Sequence, residues 1–442
     1  MKRWLVVLLV VLAVLVLLSP GIVGRMAEKN LEDNIEWAES EAVGIEVQTE
    51  KFDRGWFTSE GRHRVALTGS TFRDGLRSYQ NETGNEDLPS LIIDTRVDHG
   101  LVAVGSLNRD SGSLIPGLAS MLSTFQVDPG NGELKELPGT LYSNVGLTGA
   151  ASLRFLLESG EFQNEEVQIE WQGADVDVQA NNTMGAYVID GRFEPFTISA
   201  NGETVDIGTI TISADQLRTD YGFYVGTATL DIASLVAASS TAPGTIGKIS
   251  FSADASIDDA RLSVTSKAVI DEIVVPDMGD MDFAVDLSLI GLDAAAIQVI
   301  NETFKEAQGA IDPDETLAEL FPQIEPELQK IAVAGAEIRI DQLDVTLPQG
   351  TVTTRMNVRV FEGNAATDFS WGSVLLNMTA SADIRMPASM FDMLQKMNPD
   401  AGGLIAMGIV IRDGEDYVMN AEFENGQLLV NGAPLPFPMP GM

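Results

Sequence analysis

Met281-Asp-Phe283-Ala-Val285-Asp-Leu287-Ser-Leu289 sets large apolar side chains at every second position, with small or charged residues between them. A period of two marks a strand with one face against a core and the other wet. Gly291 ends the pattern, and Leu292, Ala295, Ala296, Val299, Ile300 and Phe304 then fall on one stripe of a helix. A second helical piece runs from Pro313 to Lys330, with Leu317, Leu320, Phe321, Ile324 and Leu328 on one side; Pro322 and Pro326 are expected to break it. A third, Pro387 to Met397, carries Met390, Phe391, Met393, Leu394 and Met397. Methionine adapts to irregular contacts, so this helix reads as core filling or as a greasy surface.

On either side of this centre the chain is strand after strand. Val145–Leu153, Val167–Trp171, Val176–Val178, Tyr187–Ile189, Phe196–Ser199, Thr204–Ile212, Gly222–Leu230, Ile249–Ser252 and Leu262–Ile270 are separated by Gly, Asn and Asp clusters, as in an antiparallel meander. Ala336–Ile340, Leu343–Leu347, Val352–Val360, Gly372–Met386, Tyr417–Phe423 and Gln427–Val430 follow the helices. Asn201-Gly202, Asn425-Gly426 and Asn431-Gly432 supply the positive φ that tight hairpins need. The tail from Pro434 to Pro440 has a proline at every second position and cannot join a central sheet. The fold class that results is α+β and β-dominated: a long curved antiparallel sheet with a few amphipathic helices on one concave face, preceded by one N-terminal transmembrane helix.

That helix is read from Trp4 to Val23, nearly uncharged and long enough to cross ~30 Å of hydrocarbon. Trp4, Leu8, Leu12, Leu15, Leu18 and Val23 mark its length. Lys2 and Arg3 precede it, and a long body behind such a start is normally exported, which sets the N-terminus in the cytoplasm. Val23-Gly24-Arg25-Met26-Ala27 is a poor cleavage site, so an anchor is preferred over a removed signal peptide. The organisation that follows is an anchor at 1–24, a helical stalk at 25–44, a β-rich region at 45–290, a helical segment at 291–330 and a second β-rich region with a Pro-rich tail at 331–442.

The 442 residues include 27 basic and 65 acidic side chains, a formal net charge of −38, and no cysteine. Disulfides, thiolate metal sites and lipoprotein attachment are thereby excluded, and nucleic acid is an unfavourable partner. The acidity reads as adaptation of the whole surface. With only two histidines and no His-Glu-x-x-His, a zinc hydrolase has no ligand set. Gly244-Thr-Ile-Gly247-Lys248 has the wrong spacing for a phosphate loop, and Asp312-Pro-Asp314-Glu315 and Asp413-Gly-Glu415-Asp416 lack calcium-loop spacing. No cofactor is implied.

Two short stretches stand out near the start of the body. In Phe52-Asp-Arg54-Gly55-Trp56-Phe57-Thr-Ser59 the glycine suggests a bulge or hairpin bend, with Trp56 and Phe57 on either side of the pleat. Val97-Asp98-His99-Gly100 follows the strand Leu91–Thr95. With Leu287–Leu292 and Glu424–Gly432, these segments resemble the YdgA-like family of bacterial envelope proteins. That resemblance implies an inner-membrane anchor and a periplasmic β-rich body, and it carries no catalytic residues. Taken by itself, His99 beside Asp98 could act as an acid or base. The simpler expectation is a turn closed by Gly100 in which both residues bond their own backbone.

Two functional readings remain. The first is a non-enzymatic, single-pass periplasmic protein that binds envelope proteins or maintains the envelope. The alternative is a carrier of lipid or another apolar ligand, in a groove between the sheet and helical residues Leu292, Val299, Ile300, Phe304, Met390, Phe391 and Leu394. The bilayer is the implied partner of the leader, and open sheet edges suggest a homodimer.

Overall fold

The computed structural model describes residues 45–67, 88–100, 117–163, 167–183, 185–200, 202–238, 243–276, 279–310, 317–363, 371–398 and 400–435. The expected anchor and stalk lie outside the described residues, and among those described no helix is long and apolar enough to cross a membrane. Strands dominate, their pairings are antiparallel, and helices are few. Among the described residues the chain divides into two units, the first built from 45–160, 172–193 and 308–310, the second from 161–171, 194–307 and 317–435.

The first unit is an antiparallel meander of β1 (Ile45–Arg54), β2 (Thr58–Leu67), β3 (Ser90–His99), β4 (Gly117–Asp128), β5 (Lys135–Gly146), β6 (Ala151–Leu157), β7 (Ala174–Ala180) and β8 (Ala186–Phe193). Each pairs with the next in that order. Val65, Leu91, Ile93, Val97, Met121, Phe125, Leu141 and Phe155 share one face by register, and the rings of Phe125 and Phe155 meet edge to face at 5.7 Å. The other face is largely charged, although Ile92, 1% exposed, lies on it. Arg62 grips Asp94 with two bonds of 2.7 Å, and Arg64 ties Glu50 of β1, Ser90 of β3 and Asp128 of β4 together. The Arg64 guanidinium, helped by the amides of Gly130 and Gly132, holds the Asp128 carboxyl below its ordinary range. At the outer edge, β1 pairs only with β2 among the described strands; a register shift between Thr49 and Lys51 and the Lys51–Asp53 ion pair blunt it.

The second unit carries a longer meander: β9 (Ile210–Arg218), β10 (Tyr224–Ile232), β11 (Ile249–Asp258), β12 (Arg261–Val275), β13 (Gly279–Asp293), β14 (Glu337–Leu347), β15 (Gly350–Val360), β16 (Met378–Pro387), β17 (Asp416–Glu424), β18 (Gln427–Val430) and β19 (Ala433–Leu435). Each again pairs with the next. A ribbon of Val167–Trp171, Phe196–Ala200, Glu203–Ile207, Leu235–Ala238 and Gly244–Ile246 joins the far end of β12, where Thr245 faces Val274. The last edge, β19, is three residues long and contains Pro434.

The helices are α1 (Ala294–Ala310), α2 (Leu317–Ala334), α3 (Trp371–Leu376), α4 (Ala388–Met397) and α5 (Ala401–Ala406). Leu292 lies in β13 and does not belong to α1. Pro322 and Pro326 do not break α2, which runs through both. Both are exposed, while Leu320, Ile324 and Ala332 are buried, so the two lost backbone bonds fall on the wet side where water serves the freed carbonyls. Other expectations also shift. Val145–Leu153 contains a turn between β5 and β6, Thr204–Ile212 contains a break, and Gly372–Leu376 is helix α3. Leu347 joins one strand with Ala336's neighbour Glu337, the register slipping between Ile340 and Leu343.

Candidate functional site

Register along β12 to β17 sorts the side chains of the second unit into two unlike faces. Val264, Ala268 and Ile270 stand level with Leu289, Val285 and Phe283, which stand level with Ile338, Leu343 and Val345. The same row continues through Val358, Met356 and Val352, then Ala380, Ala382 and Ile384, and ends on Phe423, Ala421 and Met419. Directly opposed residues share a face, so this is one largely aliphatic surface crossing β12 to β17, interrupted by Ser266 and Thr354. The reverse face carries Lys267, Asp286, Arg339, Asn357, Arg355, Asp383 and Arg385, tied by ion pairs such as Lys267–Asp286 at 2.6 Å and Arg385–Asp416 at 2.8 Å.

Helices cover the two ends of the aliphatic surface. At one end Ile297 of α1 and Ile331 of α2 pack with Leu262, Leu292, Ala336, Val264 and Leu289. At the other, Phe391 of α4 lies against Tyr417 with ring centroids 4.4 Å apart, and Tyr417 pairs with Met386 on the same face. Between the two helical ends the surface is only half-buried. Phe283, Val285, Leu287, Ile340, Leu343, Met356, Val358, Ile384 and Met419 all keep partial access to solvent, and Ile338 and Val345 are 41% and 37% exposed. In a single sheet this is costly, since each uncovered aliphatic side chain forgoes roughly 1 kcal/mol or more of burial.

The residues expected to line a groove fall on both sides of this division. Met390, Phe391 and Leu292 are core residues under the helical ends; Ile300 and Phe304 are half-buried; Val299 and Leu394 are exposed. α1 leaves the sheet beside the start of β14, whereas α4 leaves it at Pro387, level with Asp416 at the opposite strand ends. The open apolar surface therefore lies on the strands between them, on the face that alternation expects against a core. The alternation in Val352–Val360 was the available signal.

In the first unit the two stretches quoted for the family resemblance come together. Thr58 stands opposite Asp98, and the His99 amide donates to the Phe57 carbonyl at 2.9 Å. Asp98 and His99 are the last residues of β3, not a turn, and both are buried. Because successive strand residues point to opposite faces, His99 and Asp98 diverge. His99 Nε2 lies 3.1 Å from Ser59 Oγ on the apolar face, both residues 2% exposed, while Asp98 meets Arg96 on the charged face. The Ser59 contact joins residues 40 apart and is invisible without the β2–β3 register.

The other histidine belongs to the same polar seam. Thr49 Oγ1 and His63 Nδ1 are 3.0 Å apart, and Thr95 and Ser123 share a bond of 2.9 Å nearby. The His63 ring leans over Gly61, where an added Cβ would sit 2.8 Å from Nε2. Nε2 has no hydrogen-bond partner among the described residues. Burial lowers the His63 pKa from its ordinary 6.5, with Asp94 opposing weakly. The unfolded chain then takes a proton below about pH 6.5 that the folded chain refuses, so stability falls on acidification, by at most about 1.4 kcal/mol per pH unit. Urea titrations between pH 7 and pH 5 should show this decline, and His63→Leu should flatten it. An unchanged slope in the variant would assign the decline elsewhere.

The sequence profile of the family described as "Bacterial protein of unknown function (DUF945)" matches residues 1–438. The chain belongs to the DUF945 family. That match covers both units and the hairpin carrying Arg54, Gly55, Trp56 and Phe57, as well as Asp98, His99 and Gly100. No curated protein and no solved structure is measurably similar to the chain. For a DUF945 protein the geometry is therefore its own guide, and the half-covered aliphatic surface is its most pronounced feature.

Proposed function

We propose that this protein is a non-enzymatic carrier or holder of acyl chains, bound on the aliphatic surface of β12 to β17 between the α1–α2 and α4 ends. The observation that carries this reading is the row of half-buried side chains from Phe283 to Met419, capped by helices at both ends and left open between them. Apart from the hydroxyls of Ser266, Thr354 and Tyr417 the row is hydrocarbon, which suits an acyl chain. An acyl chain covering about 300 Å² of it gains roughly 7 kcal/mol before ordering costs. Every Lys and Arg of β12 to β17 sits on the reverse face, and the whole chain carries a net charge of −38. Lipids with neutral or zwitterionic heads are favoured over anionic ones.

The leader Trp4–Val23 sets the carrier, in this reading, on the bacterial inner membrane with its body in the periplasm. Binding of an envelope protein is the competing use of the same surface. The blunted edges at β1 and β19 speak for a chain that does not pair through them, which leaves a homodimer to the leader. Native mass spectrometry of the full chain, released from non-ionic detergent, should find co-purified lipid. A chain that flies ligand-free and takes up no added phosphatidylethanolamine would overturn the proposal.

A further inference from the structure

We infer that the tip of the β1–β2 hairpin is a bilayer contact, with Trp56 and Phe57 seated at the level of the lipid headgroups. Both aromatics are held out into solvent, at 54% and 47% exposure. The tip is built rather than loose. The Gly55 amide donates to the Thr58 carbonyl at 2.8 Å, a Cβ on Gly55 would lie 2.6 Å from that same oxygen, and the His99 amide fastens the Phe57 carbonyl to β3. A backbone tied this firmly displays the two rings at a fixed place, and leaving them in water forgoes roughly 1.5 to 3 kcal/mol each.

The shape and the charge select the occupant. Two half-exposed rings on a convex tip offer about 250 Å², far below the ~800 Å² per partner of a stable protein interface. A bilayer accepts such a wedge, and tryptophan prefers its interfacial zone. The chain as a whole is strongly acidic, but around the tip Lys51, Arg54, Arg62 and Arg96 balance Asp53, Glu60, Asp94 and Asp98. The hairpin end is thus a place where an acidic protein approaches a lipid surface without repulsion.

The absence of cysteine lets single thiols be placed without background. The full chain carrying Phe57→Cys with a nitroxide label, reconstituted in phosphatidylethanolamine and phosphatidylcholine vesicles, should show high oxygen and low nickel-chelate accessibility. A label at Leu217→Cys, an exposed site on the second unit, should behave as in water. Doxyl lipid placed in the protein's own bilayer, or only in added vesicles, distinguishes the membrane that the tip meets; broadening from either supports the contact. Equal nickel accessibility at both labels overturns it. Should Phe57→Cys fail to fold, brominated lipid should quench the intact chain more than Trp56→Phe, and equal quenching of the two overturns the contact as well.

Discussion

Full-length protein carrying Met356→Asp loses its bound lipid while its fold survives. Met356 lies mid-row on the aliphatic surface, level with Ile340 on one side and Ala382 on the other, and is half-buried. In the empty protein a carboxylate there reaches water, so the cost to folding is modest. Under an acyl chain it does not, and an unpaired buried carboxylate costs several kcal/mol. At 1.4 kcal/mol per decade, affinity falls by roughly 100-fold or more. Native mass spectra should lose the lipid adduct. Thr353→Asp, on the reverse face and level with Arg385, should keep it. Loss in both variants, or in neither, would detach binding from this surface.

Phe391→Ala should destabilise the second unit by about 3 to 5 kcal/mol. Phe391 is almost wholly buried, and its ring against Tyr417 fastens α4 to the sheet beside the buried Met390. Removing it leaves a cavity that a short helix following a proline closes poorly. Leu394, three residues along the same helix, is exposed, and Leu394→Ala should change stability by no more than about 0.5 kcal/mol. Denaturant midpoints of the two variants provide the check. A small effect at Phe391 would mean that α4 is held by other contacts.

Much of the architecture could be read from residue order wherever one face is uniformly apolar. Met281–Leu289 is the centre of β13, and Asn425-Gly426 and Asn431-Gly432 turn the chain with φ of 52°, 76°, 49° and 77°. Legibility fails where the cause is non-local. β4 and β5 interleave Ser120, Ser123, Thr124, Thr140 and Ser143 with their apolar residues, and hydroxyls that pair across strands spoil the alternation that reveals a strand. The turn between β11 and β12 is made by Asp259 and Ala260 at φ of 44° and 62°, with no glycine to announce it. The strand Ile249–Asp258 consequently runs well past Ser252.

The candidate surface was half legible in the same sense. Alternation in Val352–Val360 and Met281–Leu289 told which side chains share a face, but not that the helices cover only its two ends. Only the register carries that information, because it sets Leu289 and Tyr417 on one face with an open row between them. Asp98 and His99 illustrate the converse. Adjacent in sequence, they suggest an acid–base pair, yet the pleat of β3 sends them to opposite faces and gives His99 to Ser59.

The most direct measurement is photo-crosslinking in living cells, with benzoylphenylalanine placed in the full chain at Leu343 on the aliphatic row or at Gln342 on the reverse face. Mass spectrometry should find lipid-mass adducts at position 343 and none at 342. Adducts to protein alone at position 343, or no adduct there at all, would contradict an acyl-chain surface on this sheet.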